Sequence, residues 1–268
     1  MASTSATISF PKTSIASFHA PLEQYKRIVA FLGAGNCHGA ESEALSSVKA
    51  FNETPQIVLE YYEERRRQAR EARPNAAHEA IAALARVKGP ANFMAMDMNV
   101  DGLCSRAGHP KHQLFEMHGN LFDAKCSRLE CEYFKEEFFN DEYSTMARQT
   151  RPRCPRCNSD LRPAVVWSGE NLRKDAVDAA EGFLSEIEPI DLILVIGTTA
   201  QIWPAAGFVD SAIEKGASVA MVNVDRGNLV PEGGALGLTG KDWFSVGDPA
   251  DVVPRLLAPL VGNQYIRL

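Results

Sequence analysis

The chain has 268 residues, 45% hydrophobic and 23% charged, which suits one large globular domain or one domain plus an insert. Acidic residues outnumber basic ones 34 to 28, for a formal net charge of -6. That balance argues against a direct nucleic-acid surface, and no apolar run reaches the length of a membrane span.

The first stretch, MASTSATISFPKTSIASF, is rich in Ser and Thr, has no acidic residue up to Ala20, and carries one Lys and no Arg. An organelle transit segment and a plain disordered tail both fit it, so residues 1–20 are expected to form a flexible tail. Arg27–Leu32 (RIVAFL) is an apolar, β-branched run ending at Gly33-Ala34-Gly35. A buried parallel strand followed by a glycine turn opens a dinucleotide-binding unit, because glycine lets the backbone approach a pyrophosphate without a Cβ in the way. A purely structural turn reads the same way.

Thr54-Pro55 starts a helix, with Thr as N-cap and Pro at the first helical position, and its body runs to just before Pro74. Most of its charge forms a solvated face, but Tyr62 and Arg65 lie at i and i+3 and share a face. Asn75–Val87 predicts a second helix of small and apolar residues, and Asn92–Met96 a short strand. The strand runs into Asp97–Leu103, a loop at a carboxyl end, where open α/β sheets bind ligands.

The stretch from Gln113 to Cys157 holds one histidine, His118, and then four of the six cysteines as a C-x4-C pair (Cys126, Cys131) and a C-x2-C pair (Cys154, Cys157). Paired thiolates on two short turns are the arrangement a tetrahedral Zn²⁺ requires, and four protein ligands make the site closed and structural. Two disulfides are the competing reading, but no secretory signal accompanies them.

Beyond the cysteines, Leu161–Asn171 is extended and Ala176–Ile187 helical. Asp191–Ile196 predicts a strand ending at Gly197-Thr198-Thr199, Pro204–Lys215 a helix, Ser218–Asn223 a strand ending near Asp225, and Val252–Val261 a closing helix. Each strand–turn–helix unit has the length of a right-handed βαβ crossover. The fold class is therefore α/β: a Rossmann-type parallel sheet with helices on both faces, from residues 21–120 and 164–268, plus a zinc-binding module at 121–163.

Taken together, these segments resemble the sirtuin family of NAD-dependent protein-lysine deacylases. The carriers are GAG at Gly33–Gly35, AES at Ala40–Ser42, PNAAH at Pro74–His78, NVDGL at Asn99–Leu103 and MHG at Met117–Gly119. The four cysteines, RPAVVWSGE at Arg162–Glu170, IGTT at Ile196–Thr199 and NVD at Asn223–Asp225 complete the set. The resemblance implies NAD as co-substrate, one structural zinc, and acylated lysine side chains of proteins as partners. Gly33, Ala34, Gly35, Asn99, Asp101, Gly197, Thr198, Thr199, Asn223 and Asp225 would hold the dinucleotide. His118, as neutral imidazole, would be the general base. Val166 and Trp167 would meet the substrate peptide.

Trp167 and the Tyr62-x-x-Arg65 pair resemble the class III branch, which removes succinyl, malonyl and glutaryl groups. An Arg fork and a Tyr hydroxyl suit a carboxylate carried into an apolar tunnel. A mitochondrial location is the expectation from the transit-like first stretch, with cytoplasm or nucleus as alternatives.

Two departures favour a competing expectation, an NAD- or ADP-ribose-binding module impaired in catalysis. The cofactor loop across residues 36–54 is shorter than the family pattern, and Asp97-Met98 stands where the family has Thr-Gln. Met98 cannot supply the hydrogen bonds of a glutamine amide.

Overall fold

A computed structural model of the chain describes residues 11–33, 44–140, 151–200, 203–225 and 238–266. Its main sheet is parallel throughout. The six strands are β1 (Ile28–Leu32), β2 (Phe93–Asp97), β3 (Leu114–Glu116), β7 (Leu192–Ile196), β8 (Ser218–Asn223) and β9 (Trp243–Val246). They lie in the order β3-β2-β1-β7-β8-β9. The chain winds outward in one direction from β1 and in the other from β7, so the order reverses between these two strands. In doubly wound sheets that reversal opens the ligand-binding crevice.

Period-2 alternation sends neighbouring strand residues into two cores. Ile28, Ala30, Leu32, Leu192 and Leu194 face one side, where Ala80, Ile81, Leu84, Leu256 and Leu257 cover them. Val29, Phe31, Ile193 and Val195 face the other, covered by Ala180, Phe183, Leu184 and Val209.

Eight helices support this arrangement among the described residues: α1 (Ile15–Leu22), α2 (Val48–Glu53), α3 (Pro55–Glu71), α4 (Ala76–Lys88), α5 (Leu103–Arg106), α6 (Lys174–Ser185), α7 (Ala206–Glu214) and α8 (Pro249–Val261). Small residues let α4 lie close on the sheet, and it packs along α8. Asn75 caps α4 by accepting from the Ala77 and His78 backbone N–H groups, and Gly89 ends it at φ 72°. Pro55 starts α3 as expected, although the Thr54 hydroxyl donates back to the Ala50 carbonyl instead of capping the helix.

The N-terminal expectation needs correcting. A tail through residue 20 was expected, yet α1 begins at Ile15 and Phe18 is fully buried, edge-on against Trp243 at 5.3 Å. Lys12 also bridges to Trp243 along the outer strand. A buried aromatic contact outweighs weak local propensity here.

A second sheet joins β4 (Gly119–Cys126), β5 (Phe134–Lys135) and β6 (Leu161–Val165) in the antiparallel order β5-β4-β6. It carries the four cysteines at one end and His118 at the other. Between it and α3 lies a third apolar cluster: Phe51, Val58, Leu59, Tyr62, Leu121, Val165 and Trp167.

Candidate active site

A cavity of about 300 Å³ opens at the reversal between β1 and β7. Leu32 and Gly33 line it from β1, Ile196 and Gly197 from β7, and Asn223 and Val224 from β8. Asn99, Asp101, Leu103 and Cys104 close it from the loop after β2, and Asn75 and His78 from the start of α4.

Gly33 is required by packing: a Cβ there would lie 2.7 Å from the Thr198 Cβ. Thr198 thus abuts the cavity wall behind Gly33, and its hydroxyl accepts from the Ala200 N–H at 3.1 Å. Thr199 is partly buried beside it. Asp225 is exposed, one residue past the rim residue Val224. Ala34 and Gly35 lie outside the described residues.

The loop after β2 is held by its own carboxylates. Asp97 Oδ1 accepts from the Asn99 N–H at 2.9 Å, and Asp101 Oδ1 from the Leu103 N–H at 2.9 Å. Asp97 is buried, and desolvation together with its acidic neighbours Asp101 and Glu116 pushes its carboxyl up to about 7. Desolvation also raises Glu116 to about 7, opposed mainly by the Asn120 amide at 2.6 Å. Burial raises the Cys104 thiol and lowers His78.

His118 sits in the turn from β3 to β4. Its Nδ1 is 3.0 Å from the Met98 carbonyl oxygen. A carbonyl only accepts, so Nδ1 carries the proton and the neutral ring keeps its lone pair on Nε2. The next residue, Gly119, is at φ 79°, and a Cβ there would lie 1.9 Å from the Ala164 carbonyl oxygen. Only glycine lets β4 run this close to β6, and the Val166 N–H then donates to the His118 carbonyl at 2.8 Å. The base candidate and the peptide-strand candidate are therefore joined by one backbone hydrogen bond.

Trp167, next along, is locked on every side. The Arg162 guanidinium lies 3.8 Å from its ring centroid, and Phe51 packs at 5.4 Å. Its backbone N–H donates to Glu170, which also pairs with Arg162 and Lys125. Its indole Nε1–H donates to the Tyr62 hydroxyl at 2.7 Å, and Ser46 Oγ is 3.0 Å from that same oxygen. Tyr62 was expected to offer its hydroxyl to substrate, yet it is 97% enclosed, as its 3% exposure shows, and its oxygen already serves Trp167. Arg65 is partly buried and pairs with none of the described residues.

The four cysteine sulfurs all lie within 4.8 Å of one another, with Cys126 and Cys157 at 3.4 Å and Cys131 and Cys154 at 3.7 Å. A tetrahedral ion with Zn–S bonds of about 2.3 Å demands sulfur–sulfur edges of about 3.8 Å, so the donor set fits zinc. These four cysteines are free thiols, which removes the disulfide alternative.

A doubly wound sheet with a four-cysteine module, and a histidine between the two, also matches known proteins. The model of the Sir2 family matches residues 35–204. The chain belongs to the Sir2 family. An NAD-dependent protein deacylase of Candida albicans is 32% identical over 263 residues, covering 82% of this chain and 84% of the relative. A crystal structure of a Sir2 homolog–NAD complex superposes with TM-score 0.76 at 26% identity, covering 94% of this chain and 96% of that one. A Sir2 homologue in complex with 2'-O-acetyl ADP ribose gives 0.74 at 27% identity, covering 91% and 95%.

Sequence reasoning passed over three groups that a Sir2 fold brings to this site. His78 was visible in PNAAH but carried no role; it lines the cavity, tied through Nδ1 to Asn75 Oδ1 at 2.7 Å. Cys104 and Asp97 became visible as a pair only when α5 folded the loop back on itself, placing the thiol in hydrogen-bond contact with the carboxylate.

Proposed function

We propose that the chain is an NAD-dependent protein-lysine deacylase that prefers acidic acyl groups. The observation that carries this reading is the chain of contacts from the cavity to the substrate strand. Asn99 lines the cavity, the adjacent Met98 carbonyl holds His118 Nδ1, and the His118 carbonyl holds the Val166 N–H.

NAD, when bound, supplies an electrophilic ribose carbon and a nicotinamide leaving group. The residues fit such a ligand: Gly33 and Gly197 bring bare backbone to the cavity wall, and Asn99, Asp101 and Asn223 offer polar side chains beside it. His118 accepts the proton of a ribose hydroxyl at Nε2, while the Met98 carbonyl keeps Nδ1–H in place and steadies the imidazolium that forms. Val166 and Trp167 present the strand along which the acyl-lysine peptide lies. The zinc module is structural: it fixes β4 and β6, and through them His118 and Val166. The products are nicotinamide, the free lysine and an O-acyl-ADP-ribose.

Acyl preference rests on Arg65. It stands one helical turn from Tyr62, partly buried, with a guanidinium no described residue occupies. An Arg fork with no partner among the described residues suits a carboxylate bidentately. Tyr62 supports this as the post that holds Trp167. A location in the mitochondrion, on the Ser/Thr-rich, transit-like first stretch, belongs to the same proposal.

The test is the ratio of desuccinylation to deacetylation in the native chain and in Arg65→Met. Loss of the carboxylate's partner should lower the succinyl rate by roughly 2–5 kcal/mol in transition-state binding and leave the acetyl rate in place. Equal losses, or a native preference for acetyl, overturn the acyl assignment. Met98 favours a second reading, a module that binds NAD or ADP-ribose without turnover, because its side chain packs against the core and offers the ribose no hydrogen bond. Calorimetric NAD binding with no nicotinamide release would select that reading.

A further inference from the structure

Asp97 is a buried acid at the end of β2 that neither base nor substrate contact accounts for. Its strand neighbours in register are Leu32 on β1 and Glu116 on β3. It makes contacts in three directions. Its carbonyl accepts the Met117 N–H at 2.9 Å, fixing the residue before His118. Its carboxylate accepts the Asn99 N–H at 2.9 Å and the Cys104 thiol proton. Between these anchors, the Met98 N–H donates to the Leu32 carbonyl at 2.9 Å, which leaves the Met98 carbonyl turned toward His118 Nδ1 at 3.0 Å.

We propose that Asp97 is a positioning residue for His118: its carboxylate closes the 97–99 turn that aims the Met98 carbonyl at the imidazole and so selects the tautomer with its lone pair on Nε2. The proposal rests on His118 being the base. An Asx turn of this kind substitutes a side-chain oxygen for a backbone one and fixes the peptide group in between. A backbone carbonyl held in place then decides which ring nitrogen keeps the proton.

The carboxylate is costly to keep charged, which argues for a role beyond packing. The charged groups bearing on it most are acidic: Asp101 on its own loop and Glu116 on β3, with the Cys104 thiol from α5 as a neutral donor. Arg173, 3.9 Å from Glu116, tempers that neighbour. With its carboxyl pushed up to about 7, Asp97 changes charge near neutrality. Charge-assisted bonds are roughly twice as strong as neutral ones, so the turn tightens as the acid ionises.

The readout is the imidazole ¹⁵N spectrum of the ligand-free, zinc-loaded protein, with the His118 signals assigned by their loss in His118→Asn. The native protein at pH 8 should show a protonated Nδ1 and a lone-pair Nε2. Asp97→Ala should mix the two tautomers and lower kcat at least about tenfold. Asp97→Asn, whose amide oxygen can accept the same N–H, should keep much of the native tautomer, and Asp97→Ser a smaller share. Within the neutral-imidazole fraction of the native protein, the tautomer preference should weaken as pH falls through about 7, a dependence that Asp97→Asn removes.

A native tautomer spectrum in folded Asp97→Ala overturns the proposal. Full activity in His118→Ala is a different result: it removes the base itself, whatever Asp97 does to the ring.

Discussion

The imidazole of His118 is held by Met98, through Nδ1–H and a backbone carbonyl at 3.0 Å. The residue whose side chain departs from the Sir2 pattern therefore still holds the imidazole, because the contact uses its backbone. Substitution at this position changes the side chain and leaves in place the carbonyl that holds His118 Nδ1.

Gly119→Ala should be among the most damaging single changes in the chain. The added methyl would sit 1.9 Å from the Ala164 carbonyl oxygen, at a φ of 79° that an L side chain resists. Backbone strain of this kind costs about 1–3 kcal/mol, and relieving the clash parts β4 from β6. Chemical denaturation should show a loss at or above that range, accompanied by loss of peptide binding. A fully stable, peptide-binding variant would show that the β4–β6 approach is not needed.

Zinc should be stoichiometric and structural. Metal analysis is expected to give one zinc per chain, held by Cys126, Cys131, Cys154 and Cys157. Structural zinc contributes on the order of 10 kcal/mol to folding of such modules. Cys154→Ser, or prolonged chelation, should therefore lower the melting temperature and disorder the antiparallel sheet, and activity should fall with it. An unchanged melting temperature after complete zinc removal contradicts this role.

The Trp167–Tyr62 bond should be measurable as stability. Tyr62→Phe leaves the buried indole N–H without its 2.7 Å acceptor, which should cost about 1–3 kcal/mol. Trp167→Phe in the same background removes the stranded donor, so the double variant should lose less than the sum of the two single changes. Strict additivity would mean that the two side chains do not interact.

Stability should fall as pH rises between about 4.5 and 7. Glu116 and Asp97 both titrate near 7 in the folded chain, well above their ordinary carboxylate values. The folded state thus keeps protons that the unfolded chain has released, so this contribution is complete below the unfolded values and lost as pH climbs through about 7. Glu116→Gln should flatten the slope of unfolding free energy in that window. An unchanged slope would show that Glu116 is ionised in the folded protein.

Much of the fold was legible in the sequence, and the reason is burial on two faces. RIVAFL, DLILVI and SVAMVN are continuous apolar runs, and the strands Ile28–Leu32, Leu192–Ile196 and Ser218–Asn223 fall within them. Helix α1 was missed because IASFHAPL has neither strong propensity nor a side-chain cap, and Phe18 is placed by Trp243, more than two hundred residues away.

Strand β9 lies beyond a glycine-rich stretch that reads as loop, and β3 is only Leu114–Glu116. The zinc ligands were legible because ligand spacing is local chemistry. The roles of Tyr62 and Asp97 were not, because each depends on a partner brought in by the fold: Trp167 for the phenol, Cys104 and the Asn99 N–H for the acid.

The most direct test of the central claim is nicotinamide release from NAD by the purified, zinc-loaded chain with a succinyl-lysine peptide, run beside His118→Ala. The native chain should release nicotinamide only when the peptide is present, and His118→Ala should lower the rate by about 10²–10⁴-fold while retaining NAD binding. No peptide-dependent release above the His118→Ala control, from a folded protein that binds NAD, would contradict the deacylase account.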